Sequence, residues 1–191
     1  MNAKQNKTVV KLTLSAMFLA IGLVLPFFTG QIPQIGNMLL PMHIPVLLCG
    51  LICGWQWGLG VGFILPLLRS MLFTTPKLYP TAVAMAFELA VYGLVIGLLY
   101  WKSRRQNIAA VYCSMIIAMV AGRVVWGVVQ VILLGAGENA FTWQAFMAGA
   151  LLKAIPGIIL QLVLIPSIMV VLNRTGLVKF SGEKQPAGKE V

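Results

Sequence analysis

Stretch after stretch of this sequence is apolar and close to the length that crosses a bilayer as a helix, about 20 residues. The candidate spans are residues 9–28, 38–53, 57–73, 81–101, 108–134 and 143–172. The second and third are short, and only residues 54–58 (GWQWG) divide them, which predicts a tight hairpin with a shallow or tilted second helix. Only 9% of the residues are charged, whereas a soluble domain carries about 25%. The expected fold is an all-α integral membrane protein: a six-transmembrane-helix bundle forming one domain over residues 1–175. A basic tail, residues 176–191, is read as disordered. Lys4, Lys7 and Lys11 precede the first span as they would in a secretory leader. That run ends in Pro26-Phe27-Phe28 without a small-x-small cleavage pattern, so it reads as a retained helix.

The cations set the orientation, because positively charged loops stay in the cytoplasm. Lys4, Lys7 and Lys11, then Lys102, Arg104 and Arg105, then Arg174, Lys179, Lys184 and Lys189 all fall on one side if six spans place both termini inside. The other side holds only Lys77 and Glu138 in its loops. A bacterial-type cell membrane is the expected location, with the bilayer itself as a partner. The net charge of +10 is accounted for by this asymmetry, and no basic patch interleaved with aromatics points to nucleic acid.

Charge inside the spans is costly, about 2.5–3.5 kcal/mol at a helix centre, so it needs a reason. Arg69, Glu88, Arg123 and Lys153 are the four cases. At about 1.5 Å per residue, Arg69 lies roughly 6 Å from the outer face, Glu88 roughly 10 Å, and Arg123 and Lys153 roughly 15 Å. All four occupy the outer half, on four different helices. Tyr92 follows Glu88 by one turn, and Met119, Arg123, Trp126 and Gln130 continue a stripe from Tyr112 at helical spacing. On the sixth span Pro156 is expected to free the carbonyl of Leu152 beside Lys153. An aromatic, an amide and fixed charges around one cavity suit a small polar ligand. The four charges sum to +2, so one glutamate cannot neutralise them, which favours an anionic group on the ligand. Two structural readings stand beside this one: Glu88 paired with Arg123 or Lys153 for stability alone, and Arg69 snorkelling to the interface.

His43, the single histidine, lies between Pro41 and Pro45. Pro41 suits the first turn of a helix, which places His43 at the outer start of the second span, near the membrane boundary. Capping, or a hydrogen bond to the loop of residues 29–40, is weighed there beside direct ligand contact. A lone histidine without aspartate or an outer cysteine excludes a metal site. Cys49, Cys53 and Cys113 lie in apolar runs and read as free, buried small hydrophobes. No phosphate-binding glycine loop and no catalytic constellation occurs, so neither an enzyme nor a cofactor is expected.

Ala16-Met-Phe-Leu-Ala20, Gly50 and Gly54, and Gly58, Gly60 and Gly62 place small residues where helices can approach closely. The AMFLA of the first span and MHIPVLLCGLICGWQWGLGVG, residues 42–62, resemble a substrate-binding S component of the energy-coupling factor (ECF) vitamin transporters, of pantothenate type or a related member. The resemblance covers most of residues 8–172. It implies a subunit that binds a micronutrient in an outward-facing pocket built from spans four to six, capped by an outer loop at residues 29–40. It also implies docking through Ala16 and Ala20 on a membrane coupling subunit joined to two ATP-binding subunits. The rivals are a six-span envelope scaffold without ligand and a small autonomous carrier or channel; the latter needs a polar path across the inner half, where no ionisable residue of any span lies deep. The candidate ligand residues are thus Glu88, Tyr92, Arg123, Trp126, Gln130, Lys153, Arg69 and His43. If Arg123 and Lys153 face the anionic group, Arg123→Ala and Lys153→Ala should each weaken ligand affinity by about tenfold to a hundredfold, the value of a hydrogen bond to a charged group. Unchanged affinity in a binding titration would exclude that assignment.

Overall fold

A computed structural model describes residues 3–29, 40–134 and 154–175. Six α-helices follow one another: α1 (Ala3–Val24), α2 (His43–Cys53), α3 (Trp55–Phe73), α4 (Val83–Lys102), α5 (Ile108–Leu134) and α6 (Ile155–Arg174). A 3-10 turn, Leu25–Thr29, continues α1, and a π-turn, Leu78–Ala82, leads into α4. Among the described residues five helices are long and apolar enough to cross a membrane.

The second expected span is where sequence and structure part. Instead of residues 38–53, α2 covers only His43–Cys53, 11 residues. At about 1.5 Å per residue it is roughly 16 Å long, half the depth of a bilayer core. Pro41 stands in a turn before the helix, and Pro45 occupies the first turn in its place. Every residue of α2 except Ile52 is buried, and a helix that is apolar on all sides belongs in an interior. The expected shallow second helix is therefore an enclosed one. Residues 143–153 of the last expected span, with Lys153, Leu152 and the tail of residues 176–191, lie outside the described residues. Within them, Pro156 stands in the first turn of α6, where its missing N–H costs nothing.

The helix α4 lies at the centre, packed against α2, α3 and α5, while α1 covers α2 and α3, and α6 leans on α5 and α2. Three side-chain bonds show the helix directions. The Trp101 indole N–H donates to the Leu51 carbonyl at 3.0 Å, joining the C-terminal ends of α4 and α2. Arg69 Nη1 donates to the Leu23 carbonyl at 2.6 Å, joining the C-terminal ends of α3 and α1. The Tyr79 hydroxyl donates to the Leu133 carbonyl, joining the start of α4 to the end of α5. Consecutive helices thus alternate in direction through α5. Lys11, 4.9 Å over the Trp101 ring, marks the end where Lys7, Lys102, Arg104 and Arg105 also gather, called here the basic end.

Glycines set the spacing of α3 and α4. A Cβ on Gly58 would stand 2.8 Å from both Gly50 Cα and the Gly93 carbonyl oxygen, so α2, α3 and α4 touch backbone to backbone. On either side of this point Gly62 meets the Leu89 carbonyl and Gly97 meets the Trp55 backbone. Gly54, with φ of 103°, turns the chain between α2 and α3 in the left-handed region that side chains disfavour. Gly60 faces open space and is not part of the seam. Cys49 and Cys53 are buried as expected, but Cys113 is exposed on the outer surface of α5, because an apolar position in a membrane helix is free to face lipid. Gly58→Leu or Gly93→Leu should lower stability in detergent by at least the 1–3 kcal/mol typical of overpacking. Gly60→Ala should leave it unchanged or raise it by about 0.5–1 kcal/mol, the helix-propensity gain; thermal unfolding of the three variants checks both.

Candidate functional site

At the end of the bundle opposite the basic end, three ionisable side chains from three helices share one oxygen. Glu88 Oε1, on α4, lies 3.1 Å from Arg123 Nη1 on α5 and 3.5 Å from His43 Nε2 on α2. Their side chains are 2%, 13% and 1% exposed. The Tyr92 ring lies edge-on to the His43 ring, with centroids 5.1 Å apart, and its hydroxyl faces Arg123.

Each member is placed by local geometry. His43 is the first residue of α2, its backbone N–H bonded to the Leu40 carbonyl at 3.0 Å. Glu88 and Tyr92 are one turn apart on α4, beside the residues Leu89 and Gly93 that contact α3, so the packing of α4 on α3 aims both toward α2 and α5. Arg123 follows Gly122, and a Cβ on Gly122 would stand 2.6 Å from the Tyr92 ring. The missing side chain is what lets that ring lie against α5.

Polar atoms without partners concentrate here. Among the described residues neither nitrogen of His43 finds a hydrogen-bond partner, nor do Arg123 Nε and Nη2. The Glu88–Arg123 and Glu88–His43 contacts are ion-pair contacts rather than aligned hydrogen bonds. Leaving buried donors unmatched is costly unless something else satisfies them. The free Nε–Nη2 edge of a guanidinium has the geometry that takes a carboxylate or phosphate in a bidentate manner.

Of the eight residues singled out from the sequence, the structure brings together His43, Glu88, Tyr92 and Arg123. Trp126 and Gln130 continue along α5 from Arg123, Trp126 half-buried and Gln130 buried with its Oε1 unpartnered. Tyr112, placed on the same stripe, is exposed near the basic end. Lys153 lies outside the described residues. Arg69 is elsewhere: its guanidinium bonds the Leu23 carbonyl and sits 5.3 Å from the Phe27 ring and 5.4 Å from the Phe73 ring. It neither joins the cluster nor snorkels, being 3% exposed, because a terminal carbonyl of α1 and two aromatic faces solvate it in place. His43, expected at the outer start of its span, is the first residue of α2 and is buried there among α2, α4 and α5. Gly122 was missed; its position immediately before an intramembrane arginine was the available signal.

The charge count changes accordingly. Within the cluster Glu88 and Arg123 cancel, so the +2 inferred from four side chains does not reside at one point. Among the described residues no group of three His, Cys, Asp or Glu side chains is arranged to hold a metal. Breaking such a buried pair from one side costs about 3–5 kcal/mol, whereas replacing both members by apolar groups can be neutral. Glu88→Leu should therefore destabilise the protein by that amount, and adding Arg123→Leu should restore part of the loss in a double-mutant cycle read by thermal unfolding.

Searches of curated proteins and of solved structures returned no match. A family model, that of the ECF transporter substrate-specific component, matches residues 10–169. That stretch includes every described helix from the first turns of α1 to the last turns of α6, along with all four residues of the cluster. The match spans most of the helical bundle, and the chain belongs to the family of substrate-specific components of ECF transporters.

Proposed function

We propose that this subunit binds a vitamin or similar small micronutrient through an anionic group that docks on the free edge of Arg123, in a pocket open to the outside. The observation that carries the reading is the pair of unpartnered donors, Arg123 Nε and Nη2, held beside a glutamate that occupies only Nη1. Glu88 then orients Arg123, while His43, Tyr92, Trp126 and Gln130 line the remainder. Arg69 has no direct part, since its donors serve α1. A pantothenate-like carboxylate is the leading ligand.

The subunit is further proposed to work in a bacterial plasma membrane with both termini cytoplasmic, as the binding component of an ATP-driven importer. Ala16 and Ala20 would form the docking face for the membrane coupling subunit, which carries two ATP-binding subunits. Both alanines are exposed on α1, and α1 is the least covered of the spanning helices. Small residues one turn apart permit close helix approach.

One observation favours a second reading. A ligand-free scaffold calls for Glu88 tied to Arg123 as a structural pair, and that pair is present. Native mass spectrometry of the purified protein separates the two: a small molecule retained by the wild type and lost in Arg123→Ala supports the binding subunit, and none retained under any growth condition supports the scaffold. For docking, Ala16→Trp and Ala20→Trp should abolish uptake into cells or proteoliposomes while ligand affinity stays within about twofold, a surface-mutation effect. Normal transport by both variants would overturn the docking assignment.

A further inference from the structure

An anionic ligand on Arg123 creates a charge problem that the third member of the cluster is placed to solve. With a neutral imidazole, Glu88 and Arg123 cancel. A carboxylate on the Nε–Nη2 edge then leaves one negative charge in excess in a buried site, which an apolar surrounding resists. The elements packed around α2 offer little to offset it. On α1 the described cations Lys7 and Lys11 are at the basic end, and on α3 Arg69 is engaged by Leu23. On α4 only Glu88 and Tyr92 face the ring, α5 supplies Arg123 alone, and Arg174 of α6 is in that helix's last turn. Lys153 lies outside the described residues.

His43 is buried, its Nε2 is 3.5 Å from the same Glu88 oxygen that Arg123 approaches, and both its nitrogens lack hydrogen-bond partners. A neutral ring carries one N–H; a protonated ring carries two. The second proton lets Nε2–H face Glu88 while Nδ1–H serves the remainder of the site, and the cluster then totals zero both before binding, with the ring neutral, and after it, with the ring protonated beside the bound anion. We propose that His43 takes up one proton as the site takes its anionic ligand, so that ligand and proton bind together. The inference rests on the anion reading of the preceding subsection and adds a proton to it.

The test uses the full chain in detergent micelles, purified without a polyhistidine tag, and three carboxylate probes: pantothenate, biotin and nicotinate. Affinities are measured between about pH 5.5 and 8, where histidines titrate while carboxylates stay ionised. Because the chain has one histidine, its imidazole nitrogen NMR signals report His43 alone. The expected result is an affinity that rises by up to about tenfold for each unit of falling pH, the signature of one linked proton. Ligand added at about pH 7.5, where a histidine is ordinarily neutral, should move the imidazole signals to their protonated positions. His43→Gln should bind with no pH dependence; should that variant fail to fold, the wild-type imidazole signals still decide. A probe that binds with constant affinity and leaves the ring neutral overturns the inference while the anion reading stands. No binding by any of the three overturns the anion reading, and the proton with it.

Discussion

The contact on which the other features depend is the backbone-to-backbone approach of α3 and α4. Gly62 against Leu89, Gly58 against Gly93, and Trp55 against Gly97 form an antiparallel seam with one contact per turn, and Gly50 brings α2 into its middle. Lipid gives no hydrophobic reason for helices to associate, so close packing of this kind has to supply it. The seam also fixes rotation. With Leu89 and Gly93 committed to α3, the neighbouring Glu88 and Tyr92 have one direction left, toward α2 and α5. The polar cluster is thus a consequence of where the glycines are.

Two arginines inside the bundle show two ways of meeting the same cost. Among the described residues Arg69 has no acidic partner; a helix-end carbonyl accepts one of its donors and two phenylalanine rings face its guanidinium. Weak hydration of the guanidinium makes this workable. Arg123 has an acid but keeps two donors free. The first arrangement meets the charge with a carbonyl and aromatic faces, while the second leaves donors unmatched among the described residues, a cost that a buried network ordinarily avoids.

The fold was largely readable because membrane helices announce themselves. The expected bounds of the fifth span, residues 108–134, coincide with α5, and the third and fourth differ by two residues or fewer at each end. The second span came out shorter than its apolar run for a physical reason: apolar length measures what lipid or protein can surround, and α2 is enclosed by protein. Glu88, Arg123 and Tyr92 were legible because an ionisable residue in a span needs an explanation. Arg69 met the same criterion and belongs elsewhere, since depth alone does not tell which way a side chain turns. The burial of His43 was not legible, because the start of an apolar run does not show which neighbouring helices close over it. Gly93, Gly97 and Gly122 went unnoticed because a glycine's importance here lies in the partner backbone or ring it admits, which sequence does not show.

The Trp101–Leu51 bond bears on how a helix can stop inside an apolar layer. The last carbonyls of any helix lack intrahelical donors, and in water they are solvated. The helix α2 is too short to carry both of its ends to water, so one of its terminal carbonyls receives an indole N–H from the neighbouring helix instead. The ring that gives this proton is itself covered on one face by the Lys11 ammonium. A cation from α1, an aromatic from α4 and a carbonyl from α2 thus meet at the half-exposed basic end, where the chain reverses at Gly54 and side chains from α1 and α4 close over the end of the shortest helix.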